Sequence, residues 1–346
     1  MTRIFWVLLF LSFVSASLKA QEKLWIGVQF EELQTNAEVS LRGLFVVNEN
    51  IVWASGSEGT VLVSENGGET WEIIQIPGEA KNDFRSIYAW NRNKAIVFGI
   101  AGPDFGYLTE DGGKTWQVVF RDSTEGLFFN SLKFADKNIG LAVSDPVNGK
   151  PFVVKTTNGG KTWKTIENIP DSNEGEANFA ASNTCIEFLP SGKAWIATGG
   201  TTARIFYSED FGENWEVAET PMIQGGASSG IFSVCFKNEM EGVIVGGTYD
   251  KPELNTNIAA FTTDGGKSWL PAEMMPKEYR SCVQIVRRKT ESFFFAIGKT
   301  GCDFSFDNGK SWNFAVATNY YTFRTIPGKS SGFAAGSNGR IARIDF

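Results

Sequence analysis

Short apolar runs separated by turn residues recur along the chain in one order, repeated at intervals of about fifty residues. A first strand-like run ("FRSIYAW", "NSLKFA", "TCIEFL", "FSVCFK", "SCVQIV") is followed by a tight turn and a second, more continuous apolar run ("KAIVFGI", "IGLAVS", "KAWIATGG", "GVIVGG", "FFFAIG"). A third run leads into a polar turn, and a fourth opens at tryptophan ("WEIIQI", "WQVVF", "WKTIE", "WEVAE"). Val, Ile and Phe dominate the runs while Gly and Asn mark the breaks, which predicts strands. No helical period longer than a turn is present. Four short strands per repeat is the pattern of a β-propeller blade.

The polar turn is nearly the same each time: "SENGGETW" at 64–71, "TEDGGKTW" at 109–116, "TTNGGKTW" at 156–163, "SEDFGENW" at 208–215, "TTDGGKSW" at 262–269 and "SFDNGKSW" at 305–312. Its tryptophans, Trp71, Trp116, Trp163, Trp215, Trp269 and Trp312, are 45, 47, 52, 54 and 43 residues apart. Two carboxylates, a lysine and paired glycines suggest chemistry, yet turn geometry accounts for every position. The Asx side chain (Asn66, Asp111, Asn158, Asp210, Asp264, Asp307) accepts from backbone N–H groups two or three residues on. The following glycine supplies a positive φ, and the tryptophan buries its ring between adjacent sheets. Asn replaces Asp twice, which a turn tolerates and a catalytic acid does not.

Six turns mark six blades. Beyond Trp312, "TFRTIPG", "SGFAAGS" and "RIARIDF" supply three further strands, and "KLWIGVQF" (23–30) resembles the strand that follows a turn, with Trp25 in the tryptophan place. The expected fold is therefore all-β: a seven-bladed propeller of four-stranded antiparallel blades, the last closed by the N-terminal strand. Residues 21–346 form this single domain. Residues 1–20 carry Arg3, the apolar run 4–14 and "SASLKA" ending at Ala20, the pattern of a cleaved signal peptide. The protein is expected to be exported, periplasmic or secreted, with no membrane span after cleavage and as a monomer.

Composition narrows the function. The chain has 32 Lys and Arg against 39 Asp and Glu, for a net −7. Removing Arg3 and Lys19 with the first twenty residues makes it −9. Nucleic acid is an unsuitable partner for such a chain. No histidine is present, which excludes Ser-His-Asp and Cys-His catalysis and His-ligated metal sites. Cys185, Cys235, Cys282 and Cys302 lack CxxC spacing, and three of them sit in apolar strand patterns. Buried thiols are the simpler reading, and pairing in an oxidising compartment stays open. No metal or cofactor motif is present.

The turn pattern [ST]-x-[DN]-x-G-x-[ST]-W resembles the Asp-box, or bacterial neuraminidase repeat. Asp-box propellers include sialidases, xyloglucan-cleaving glucanases, sorting receptors and photosystem II assembly and stability factors. The chain is most similar to the last group, with short regular repeats, strands beginning "FRSI" and turns like "TTDGGKSW". That resemblance implies a non-catalytic assembly or stability factor that binds a protein or peptide at an arginine-rich face.

In a propeller the first strand of each blade starts at the face opposite the turns. Aligning those starts pairs a polar with a small residue at Arg42-Gly43, Arg85-Ser86, Asn130-Ser131, Asn183-Thr184, Arg280-Ser281 and Arg324-Thr325, with Phe232-Ser233 the exception. Arg42, Arg85, Arg280 and Arg324 are expected to form a cationic arc at the channel mouth, suited to a carboxylate, an acidic glycan or an acidic peptide. Arg204 and Tyr249 stand in loops expected over the same face. The alternative is a carbohydrate-active enzyme using paired carboxylates there, with Asp104, Asp145 and Asp250 as candidates, since two carboxylates suffice for glycoside hydrolysis. A sialidase would add a Tyr nucleophile, for which Tyr320 and Tyr321 beside "FRTIP" (323–327) are the available residues.

Overall fold

The second strands of the blades have no exposed residue to spare: Val52–Gly56, Ala95–Phe98, Ala194–Ala197 and Gly242–Thr248 are buried along their whole length. A strand buried on both faces reads as a continuous apolar run, which is why these runs do not alternate. In the computed structural model, which describes residues 27–346, each is covered on both faces by neighbouring blades. The outermost strands have one wet face, and Glu72–Gln75 and Glu216–Glu219 bury only Ile74 and Ala218.

Every element among the described residues is a strand. The innermost strands are Leu41–Val46, Ser86–Ala89, Phe129–Phe134, Ile186–Phe188, Ser229–Phe236, Cys282–Arg287 and Thr322–Thr325, and each contacts the next in order. The seventh contacts the first, completing the ring. Each blade is a four-stranded antiparallel meander, as expected. In blade seven the outermost strand is Gln29–Leu33, in register with Ile341–Asp345. The expected closing strand overlaps it only at its end, and Trp25 and residues 1–20 lie outside the described residues. Between blades four and five, two short extra strands, Glu176–Ala177 and Gly199–Gly200, extend blade five inward over the channel mouth.

Seven apolar clusters stabilise the ring, one at each blade-to-blade contact. Trp195 stacks on Phe236 of the next blade at 3.6 Å, and its indole N–H donates to the Gly265 carbonyl of that same blade. Trp53 reaches the Asn91 carbonyl in the same manner. Burying a side chain of this size contributes about 2–3 kcal/mol. The four cysteines are free and buried. Burial holds the Cys185 and Cys302 thiols up at about 12, so neither is a nucleophile.

The repeated turns close the third and fourth strands, on the face away from the starts of the first strands. In the second, Thr109 donates to Asp111 at 2.9 Å, while the Gly113 and Thr115 N–H groups donate to Thr109 Oγ1 and Asp111 Oδ1 at 2.8 and 2.9 Å. The Asx oxygen thus reaches four residues on, further than expected, because the hydroxyl takes the nearer glycine N–H. Gly113 has φ +91°, and a Cβ there would meet Ile74 Cδ1 at 2.5 Å. The tryptophan indole donates back to this glycine's carbonyl in five turns, from Trp71 to Trp269. Trp312 is buried without that bond.

These bonds hold the Asp111 carboxyl down to about 2, chiefly through Thr115. The unfolded chain titrates it at about 3.9, so its stabilisation is complete above that pH and is lost as pH falls toward 2. Melting temperature is therefore expected to drop across that window in the wild type. Asp111→Asn should flatten the drop, and Asp111→Ala should lower the melting temperature by several degrees at neutral pH. Differential scanning calorimetry from pH 2 to 7 checks both.

Candidate functional site

At the face opposite the turns, the channel mouth opens into a cavity of about 540 Å³. Its floor comes from the connection into blade four, where Ala181–Thr184 crosses the channel instead of following its rim. Arg42 of blade one donates to the Ala181 carbonyl, and Ser182 Oγ donates to the Ser281 carbonyl of blade six at 2.6 Å. Asn183 donates to the Ile87 carbonyl of blade two and accepts from the Leu132 N–H of blade three, at 3.0 and 2.7 Å. Val234 N–H of blade five donates to the Thr184 carbonyl. Arg324 of blade seven donates to the Ser182 and Asn183 carbonyls at 3.0 and 2.9 Å. Asn183 sits at φ 58°, a left-handed conformation that asparagine tolerates better than most residues. The segment is thus bonded to all six other blades and bridges the channel.

The walls are aromatic and cationic. Phe179 stacks on Phe232 at 3.9 Å, Tyr279 packs edge-on against Phe232 at 4.8 Å, and half-exposed Tyr249 meets both phenylalanine rings edge-on. Phe232 stands at a β-bulge between Ile231 and Ser233, which turns its ring into the mouth. Arg42 occupies the matching bulge of blade one, with its guanidinium 4.4 Å above the Tyr321 ring. Arg85 is oriented by Asp83 at 2.8 Å and lies 5.3 Å from the Phe128 ring. Lys299 donates to the Tyr249 carbonyl at 2.6 Å. Arg42 and Lys299 have no ion pair among the described residues. Burial, and then the repulsion of Arg85, pull the Arg42 guanidinium below its usual range.

One carboxylate lines the cavity. Asp145 Oδ1 accepts from the Asn130 side chain and the Asn178 N–H at 2.9 and 3.0 Å. Burial pushes this carboxyl up despite those bonds and the nearby Arg85.

The expected site residues divide into two groups. Arg42, Arg85, Tyr249 and Asp145 come together in the cavity. Arg280 does not: it is fully buried, turned into its own blade, and pairs with Asp303 at 2.5 Å. Arg324 is three residues out of register with the other starts, because Tyr321-Thr322 occupies the first-strand start and Arg324 stands deeper, binding the floor from below. Arg204 is buried and paired with Glu176 at 2.5 Å, also donating to the Asp171 carbonyl. It anchors the 171–179 loop that carries the Asn178 and Phe179 walls. Asp104 pairs with Arg121 on the outer half of blade two, and exposed Asp250 lies outside the lining. No two of the three candidate carboxylates face each other across this cavity, so the arrangement glycoside hydrolysis requires is not assembled there. Tyr320 is buried with its hydroxyl donating to Glu32, and burial pushes its hydroxyl pKa up. Lys299, Phe179 and Tyr279 were not expected. Lys299 lies in a second-to-third-strand turn of two residues, and the position of that turn on the cavity face is the signal that identifies it.

No family model matches the chain. Among curated proteins, a vacuolar protein sorting/targeting protein 10 of Ajellomyces capsulatus is 25% identical over 240 residues, which is 64% of this chain and 16% of that protein. The chain thus spans a small part of the sorting proteins it matches. A photosystem II assembly protein Ycf48 of Synechococcus is 23% identical over 261 residues, 64% of this chain and 72% of that protein. In the solved structures, YCF48 bound to a D1 peptide superposes with a TM-score of 0.63 at 16% identity, covering 92% of this chain and 95% of that one. The resemblance to photosystem II assembly factors is borne out in sequence, and the propeller fold is shared.

Proposed function

We propose that the protein is an exported, non-catalytic binding factor that captures a peptide segment of a partner in the channel-mouth cavity, in support of an envelope protein or complex. The observation that carries this reading is the crowding of Arg42 and Arg85 with no carboxylate on Arg42. Two like charges held together at a cost in a pre-formed pocket are stabilised by an incoming anion. Asp83 is bonded to Arg85 and not to Arg42. The aromatic walls add apolar area for a side chain, and the bridging 181–184 segment gives it a floor. The peptide in the related YCF48 structure supports a peptide as the class of ligand.

The test is capture from an envelope extract of the producing cell, comparing wild type with the Arg42→Glu/Arg85→Glu double variant. Charge-assisted hydrogen bonds contribute about 1.5–3 kcal/mol each, so captured partners should fall at least tenfold. The same partners retained at the same yield by a folded variant would overturn the reading.

A further inference from the structure

The cavity has a second pole. Asp145 is its only carboxylate, and the two oxygens of that group are in different situations. Oδ1 accepts from Asn130 Nδ2 and from the Asn178 N–H. Oδ2 has no protein donor, yet it is absent from the buried unpartnered atoms, so it opens to the cavity. The asparagines are oriented by bonds elsewhere. Asn130 Nδ2 also donates to the Phe128 carbonyl and Asn178 Nδ2 to the Ala197 carbonyl, both at 2.9 Å, so neither amide can rotate to serve Oδ2. Arg85 is the cation whose charge acts on Asp145, and its Nε donates to Asp83.

We infer that the captured peptide carries a basic side chain, lysine or arginine, that seats on Asp145 Oδ2 while an acidic group of the same peptide binds Arg42, Arg85 and Lys299. The inference rests on the peptide-binding reading and names the chemistry of the peptide. A half-buried carboxylate with a free oxygen is relieved by a donor that carries positive charge. A purely acidic ligand leaves Asp145 unpaired and places like charge beside it. The lining therefore selects a peptide with both charges and discriminates against a wholly acidic one. Phe179, half-buried on its stack with Phe232 in the same cavity, is suited to the aliphatic stem of a long basic side chain.

The experiment is selection of a random heptapeptide display library on immobilised full-length protein, wild type and Asp145→Asn. Asparagine retains an Oδ1 acceptor for Asn178 and Asn130, so the wall is kept, and circular dichroism with a melting curve confirms the fold. Wild type should enrich peptides containing Lys or Arg together with Asp or Glu. Asp145→Asn should lose the basic preference and keep the acidic one. A selected peptide resynthesised with citrulline for arginine should bind wild type at least tenfold more weakly and Asp145→Asn unchanged. Identical enrichment on both proteins, or acid-only peptides on wild type, overturns this inference and leaves peptide binding standing. No enrichment on either protein overturns both.

Discussion

Asp303→Ala is expected to cost about 3–5 kcal/mol of folding stability, since removing one partner of a buried ion pair leaves an uncompensated charge. Arg280 is fully buried; its guanidinium donates to Asp303 at 2.6 Å and to the Tyr279 carbonyl and Thr300 hydroxyl at 2.8 and 3.0 Å. With Asp303 gone, those neutral acceptors remain and the charge has no counter-ion. Burial pushes the Asp303 carboxyl up even against Arg280, so the pair itself contributes little net stability. The double variant Arg280→Met/Asp303→Leu should accordingly lie within about 2 kcal/mol of wild type. Urea unfolding of the three proteins decides it: two equally damaged variants would refute the account, and so would an undamaged Asp303→Ala.

Asn183→Ala is expected to be nearly as damaging, at about 3–5 kcal/mol. Its side chain serves the Leu132 N–H and the Ile87 carbonyl in a dry region, and each orphaned group costs about 1–3 kcal/mol. Alanine must also adopt φ near 58°, where Cβ is crowded, for about a further 1 kcal/mol. Asn183→Gly removes the crowding and keeps both orphans, so it should recover about 1 kcal/mol relative to alanine. Chemical denaturation measures the difference. Glycine performing no better than alanine would show that the left-handed backbone contributes nothing.

The architecture was legible because the turns repeat at blade spacing and each blade must bury its strands against two neighbours. Those constraints act on backbone and on residue type, both of which a sequence displays. The site was legible only in part. Arg42, Arg85, Tyr249 and Asp145 could be placed together because the topology fixes which ends of strands reach the cavity face. Arg280 was set beside Arg85, but Ser86 pairs with Phe98 and Cys282 with the equivalent Ile297, so Ser281 takes the place of Arg85 and Arg280, one residue earlier, turns the other way. The sign of that lies in Asp303, an acid in the middle of the apolar strand "GCDFS", which only a buried cation explains. Arg204 has a similar partner in Glu176, hidden in a loop whose acids look solvated. Phe232, the exception in the aligned starts, proves to be the central aromatic of the wall. Side-chain direction at a bulge follows local backbone that two-residue alternation does not encode.

The seam of the ring has a consequence for self-association. Gln29–Leu33 pairs over five residues but buries none of them fully, so its detachment sacrifices the ladder bonds, the half-buried packing of Phe30 and Leu33 and the Glu32 bonds to Tyr320 and Arg340, but no fully buried side chain. Once it leaves, Ile341–Asp345 becomes a naked edge with the sequence and register to receive the same strand from a second molecule. Strand exchange between copies, favoured by high concentration and mild heating, is thus the natural misassembly route of this propeller.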